Sequence, residues 1–437
     1  MNNIEERILE SALKNADSAE VIFEQGETRS ISFENNKLKY VNTKSIRGIG
    51  LRIIKNGRIG FSSATDLRKP ERLVANAIES AKFGQGARFE FPSQTNFPEV
   101  ETFDDNVVSY HVENAIELGR NAIDAALTVN PDYECGVEIG KGIGLSRLIN
   151  SRGLDISRQA THFSMGIDIL LVKGQSLIWT SEGESSRRLS TDLDKHVKKA
   201  LERQRLAEKD VQIGTGTYPV IFTPKSVHTA LATFEVGCNG KLVQKGASPL
   251  AGKIGEKIID ERVSIYDDST INYADGSFPF DGEGIPAQKT PLIENGVLRN
   301  YIYDLQTAGM MNAKSTGNGM RGFASQPAPG CTNIIIEPGN MSFEDMIADM
   351  KQGLLVDQVL GGGQSNVLAG EFSVNIDLGF LVENGEIVGR VKDCMIAGNA
   401  FDIFNNITAL GNKTEWHGST KLPHFYFRAL NVAGNSK

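Results

Sequence analysis

The chain has 437 residues, more than one hydrophobic core ordinarily serves, so two domains are expected. A formal net charge of −8 lacks the basic footprint that counterion release from nucleic acid requires, and no nucleic-acid partner is expected. The cysteines Cys135, Cys238, Cys331 and Cys394 form no C-x-x-C pair, no run approaches the ~18 apolar residues of a membrane span, and the N-terminus lacks a basic leader with an apolar core, so a cytoplasmic protein without a membrane partner is expected.

The first thirteen residues place Ile4, Ile8, Ala12 and Leu13 on one stripe and read as an amphipathic helix ending before Asp17. Short alternating runs follow at 21–23, 30–33, 37–41 and 46–54. Gly26, Asn35-Asn36 and the type I′ signal Asn56-Gly57 punctuate them, which predicts an antiparallel meander. Helical periodicity returns at 70–82 and 112–129, the latter with Ala115, Gly119, Ala122, Ile123 and Ala126 on one face. Residues 133–180 are strand-like around a turn at 150–153. Residues 192–206 read as a charged helix whose basic run 195–205 is expected to face solvent.

Gly214-Thr215-Gly216-Thr217 marks the domain boundary, placing an α/β domain with an antiparallel meander and long helices at 1–212 and a β-rich domain at 213–437. The whole is an α+β protein. A strand at 218–222 precedes a helix with Thr223 as N-cap and Pro224 at N1. Beyond Gly240 short strands are expected, interrupted by one helix over 342–353 with Ser342 as its cap.

The second half carries a series of glycine-centred signatures: Phe280-Asp281-Gly282-Glu283-Gly284, Thr316-Gly317-Asn318-Gly319-Met320-Arg321, Gly361-Gly362-Gly363, Gly370-Glu371-Phe372-Ser373, Ile396-Ala397-Gly398-Asn399 and Ala409-Leu410-Gly411-Asn412. No Lys-Ser/Thr pair follows the Thr316 run, so it is not a phosphate cradle. Asp281 and Glu283 alternate as on a strand end, which predicts carboxylates that diverge and serve structure. In order and spacing these signatures resemble the TldD/PmbA family, the two-subunit zinc-dependent peptidases also called modulators of DNA gyrase.

The resemblance implies a helix early in the second domain bearing H-E-x-x-x-H in the zinc-binding TldD branch, with a third ligand near the C-terminus. Ligands on one helix must project from one face within about a turn. The equivalent helix here has a single histidine, His228, and the motif register falls on Phe234, Glu235 and Asn239. His228 and Glu235 share a face but are separated by ~10.5 Å of helix axis, far for one ion. His417 stands near the third-ligand position and is the one candidate metal ligand, because imidazole binds zinc. His424 is expected to have an ordinary packing role. No catalytic residue is assigned. Glu235 and His417 are candidates to line a cleft, and Gly361, Gly362 and Gly363 could admit a substrate strand by edge pairing.

Likeness to the TldE (PmbA) branch implies a zinc-free subunit that works on unfolded peptides beside a TldD-like subunit, which would carry the zinc. A homodimeric metallopeptidase with a non-standard metal site and a non-enzymatic protein-binding modulator are the alternatives.

Overall fold

A computed structural model of the chain describes residues 4–174, 176–361 and 365–434. Helix α1 (Ile4–Leu13) leads into strands β1 (Ser18–Glu34), β2 (Lys37–Lys55) and β3 (Arg58–Ala64). Next come helices α2 (Pro70–Ala81), α3 (Asp105–Ser109) and α4 (Val112–Val129), strands β4 (Glu134–Asn150), β5 (Asp155–Lys173) and β6 (Ser176–Ser186), and helix α5 (Leu193–Ala207). The six strands form one antiparallel sheet in the order β3-β2-β1-β4-β5-β6. Asn35 and Asn36, and then Asn56 and Gly57, all carry positive φ, as tight hairpin turns demand.

The expected short strands are in fact two long ones. Gly26 is no turn: it pairs with Ile46 on one side and Gly144 on the other, so the ladder runs straight through it. All the helices lie on one face, α1 and α2 over Val21, Leu51 and Ile53, and α4 and α5 over Val137, Met165 and Ile169. The opposite face carries mostly small residues, among them Gly26, Gly142, Gly144 and Ala160.

The remaining chain contributes β7 (Asp210–Val211), β8 (Gly216–Phe222), α6 (Pro224–Gly237), α7 (Gly240–Gln244), β9 (Ile265–Asp268), β10 (Lys289–Glu294), β11 (Val297–Leu298) and α8 (Leu305–Met310). It continues with β12 (Gly319–Met320), β13 (Ala328–Pro329), β14 (Ile334–Ile336), α9 (Phe343–Asp349), β15 (Gln352–Leu360), β16 (Glu371–Glu383) and β17 (Glu386–Val391). Last come β18 (Met395–Asn399), α10 (Ala400–Asn405), β19 (Ile407–His417) and β20 (Thr420–Ala433). These build a 12-stranded mixed sheet ordered β11-β10-β9-β14-β20-β8-β15-β16-β17-β7, with β18 and β19 also paired to β20. Strand β20 therefore touches four others and is the hub of the sheet. The architecture is α+β.

Three expectations change in this half. The helix capped by Ser342 stops at Asp349, because Gln352–Leu360 are claimed by pairing with β16. Short helices α7, α8 and α10, too brief to show periodicity, interrupt the strands as well. Thr223 holds the N-cap position of α6 with Pro224 in its first turn, as expected, but its side chain makes no capping bond; its hydroxyl donates to the Asp357 carbonyl at 3.3 Å instead.

One hydrophobic core joins the two sheets: Ile139, Ile167 and Ile169 of the smaller sheet and Val197 and Ala200 of α5 belong to the same buried cluster as Ile221, Leu355, Phe380 and Tyr426 of the larger. A second contact closes over the small-residue face, where Phe323 seats against Gly48 and Gly50. A Cβ at Gly48 would come within 2.1 Å of its ring, and one at Gly50 within 2.3 Å of its carbonyl oxygen, so only glycine permits the approach. Among the described residues no helix is long and apolar enough to cross a membrane.

Candidate functional site

Strand β6 is the outer edge of its sheet, and β15 beyond Val356 pairs only with β16, because β8 ends opposite it at Phe222. Between these two strand edges and the start of α6 lies a cleft of about 490 Å³, bordered by Trp179, Glu182, Lys225, Asp357, Leu360 and His417. Gln358 bridges the edges, accepting the Ser181 amide at 3.1 Å. Gly361 follows Leu360 with φ +89, a value that favours glycine. Gly362 and Gly363, the rest of the expected strand-admitting run, lie outside the described residues.

The cleft floor is an ion network. Lys225 Nζ reaches the Ser181 carbonyl at 2.8 Å, Glu182 Oε1 at 2.9 Å and Asp357 Oδ2 at 3.3 Å. Arg203 of α5 approaches Asp357 at 3.5 Å, and Lys199, one turn earlier, meets Glu415 at 2.8 Å and Glu182 at 3.5 Å. Burial pushes the Asp357 carboxyl up, but Lys225, Arg203 and Lys199 together more than offset this and hold it below the usual carboxylate range. The basic run of α5 is thus not simply a solvated face, since its inner side lies under the cleft.

His417 ends β19 at the cleft rim, with Gly418 completing the turn. Burial, then the charges of Lys225 and His228, hold its imidazole below the ordinary range. Glu235 lies on α6 with its Oε1 3.8 Å from His228 Nε2, so flexible side chains close most of the axial gap. Burial raises the Glu235 carboxyl, and His228 opposes the rise. His424 packs its ring 4.7 Å from that of Phe343.

Residues 215–434 match the description "PmbA/TldA metallopeptidase C-terminal domain", and residues 19–81 match domain 1 of the same family. The chain is 31% identical to an uncharacterised protein of Methanocaldococcus jannaschii, over 97% of this chain and 98% of that one. The chain belongs to the PmbA/TldD metallopeptidase family. Metalloprotease PmbA of Escherichia coli O157:H7 is 27% identical, with 98% of this chain and 94% of that one covered. In structure, TldE from Thermococcus kodakarensis superposes with a TM-score of 0.90 at 25% identity, covering 99% of this chain and 100% of that one.

Family membership raises the question of zinc, and the donors here do not fit it. Phe234, at the first imidazole position of the motif register, is buried with its ring 5.0 Å from that of Phe404. Asn239, at the second, is occupied as the cap of α7, accepting the Lys241 amide at 3.0 Å. Among the described residues no three His, Cys, Asp or Glu side chains are grouped to hold an ion.

Two of the glycine signatures, residues 280–284 and 316–321, have a structural role at the junction of the two sheets. Contrary to the expected divergence, Asp281 and Glu283 converge: a Cβ on Gly319 would lie 3.0 Å from the Asp281 carboxylate and 2.5 Å from that of Glu283. A tight loop, not an extended strand, brings them together. Asp281 accepts the amides of Glu283, Ile285 and Gly319 at 2.7–2.9 Å. Glu283 meets Arg52 of β2 at 2.7 Å, Arg52 meets Glu20 at 3.0 Å, and Arg321 meets Glu20 at 2.7 Å, all with side chains at most 2% exposed. Sequence reasoning missed this lattice and the cleft floor because their members lie up to 301 positions apart. A faint signal was Asp357, a lone acid within the apolar run Leu354-Leu355-Val356 and Val359-Leu360.

Proposed function

We propose that this chain is the TldE/PmbA-like, zinc-free subunit of a cytoplasmic two-chain metallopeptidase that degrades or processes unfolded peptides, with the zinc carried by a TldD-like partner. The observation that carries the reading is α6 and the turn into α7, where a core phenylalanine and a helix cap stand in place of the two imidazoles. Relatives named metalloprotease and a TldE fold over the full length support it. This chain's part is to complete the substrate chamber. Beyond Val356 the edge of β15 that β8 leaves unpaired offers main-chain hydrogen bonds to an extended peptide, which a folded protein cannot present.

The test pairs metal content with turnover. The purified chain should hold substoichiometric zinc and leave an unfolded casein substrate intact, and adding a TldD-like chain should produce hydrolysis. Stoichiometric metal with metal-dependent turnover by the isolated chain would overturn the proposal. That outcome would favour a homodimeric enzyme, a reading that draws on the presence of His228, Glu235 and His417 on and near one face of α6.

A further inference from the structure

A second groove, of about 440 Å³, crosses the small-residue face of the six-stranded sheet, away from the cleft described above. Its floor is Gly26, Gly142, Gly144 and Ala160, and its walls carry Arg158, His162 and Arg187. The two arginines have an unusual position. Arg158 donates to the Phe280 carbonyl at 2.5 Å and lies over the Phe278 and Phe280 rings at 5.0 and 5.4 Å. Arg187 donates to the carbonyls of Ala274 at 3.1 Å and Asp275 at 2.6 Å. Among the described residues neither has a side-chain carboxylate within 4.0 Å. Burial, reinforced by the charge of Arg187, pushes the Arg158 guanidinium down to about 10.

Nearby acids do not satisfy them. Asp281 is committed to three amides, and Glu24 accepts the Phe323 amide at 2.9 Å. Glu27, also on the groove, is paired with Arg29 at 3.4 Å, and Lys44 adds a further cation to the lining. His162 Nδ1 lies 3.1 Å from Asp275 Oδ1, and Asp275 also accepts the Ser185 hydroxyl, so the ring is oriented while Nε2 keeps no protein partner among the described residues. Two adjacent guanidiniums, half-buried at the groove and more than 4.0 Å from any carboxylate of the described residues, repel one another, and an anion from outside would give them the direct partner they lack.

We propose that this groove binds an oxyanion, and that its natural source is a carboxylate of an extended peptide. Arg158 and His162 stand four residues apart on β5, ~13 Å along the strand, too far for one phosphate to touch both but within the span of a few extended residues. The glycine floor leaves room for such a chain to lie flat. A Cβ on Gly144 would meet nothing nearer than 4.0 Å, so the missing side chain is not required by the fold. The site is independent of which chain of the peptidase holds the metal.

Calorimetric titration of the full chain tests this with three probes: an N-acetylated alanine hexapeptide with a free carboxylate, its C-terminal amide, and inorganic phosphate. The free acid should bind saturably and about tenfold more tightly than the amide, and Arg158→Gln should weaken it by about tenfold, the effect of one charge-assisted hydrogen bond. Gly144→Val should abolish binding by filling the groove while leaving the thermal unfolding profile intact. Saturable phosphate binding lost in the same two variants, without peptide binding, would support the oxyanion site and assign phosphate as its source. Absence of saturable binding by either anion, or binding unchanged by both substitutions, would overturn the proposal.

Discussion

Glu283 illustrates how a residue's surroundings set its chemistry. Burial, with the charge of Asp281, raises its carboxyl to about 7 against the attraction of Arg52, while two carboxylates keep Arg52 charged. The strain therefore falls on the acid. A carboxyl whose folded pKa lies above its unfolded value binds an extra proton in the native state, so its stabilisation is complete below about pH 4.5 and is lost as pH rises through about 7. Glu283→Gln mimics the protonated carboxyl, so it should change stability little below about pH 4.5 and remove the decline between pH 4.5 and 7. Urea midpoints across that range check both effects, and a variant with the wild-type slope would show that another group titrates. In the sequence the Asp281 to Gly284 signature stood out, but its function did not. Spacing alone does not foresee a tight loop that folds two carboxylates onto Gly319, nor an arginine more than 200 positions earlier.

Among elements, those governed by local periodicity were legible. Helix α4 spans the expected residues 112–129, and the Asn-rich hairpins turn where positive φ was anticipated. Elements governed by pairing were not. Gly26 suggested a break, yet neighbouring strands on both sides carry β1 through it, and the helix after Ser342 yields to β15 because β16 supplies a ladder. Helix α6 was found by its Pro224 start, while the fate of its motif positions depended on which side faced the Phe404 core. Helix α5 shows the same dependence, because Arg203 is 9% exposed and reaches Asp357. Asp357→Ala should cost about 3–5 kcal/mol by leaving Arg203 buried without its carboxylate. A loss under 1 kcal/mol in chemical denaturation would mean that solvent already screens the pair.

At the scale of the molecule, a core shared through α5 and the seat of Phe323 on β2 tie the two sheets together. Phe323→Ala should cost about 3–5 kcal/mol and speed hydrogen exchange selectively around residues 48–50. Uniform exchange across both sheets would argue against a local seat. The position of β20 has a further consequence, for biosynthesis. The hub of the larger sheet comes from residues 420–433, so β8, β14, β18 and β19 lack a shared neighbour until that stretch has left the ribosome. Closure of this half must then await synthesis of that stretch, and until then β8, β14 and β18 each keep one edge unpaired and β19 has no partner strand, the circumstance in which chaperones are most needed.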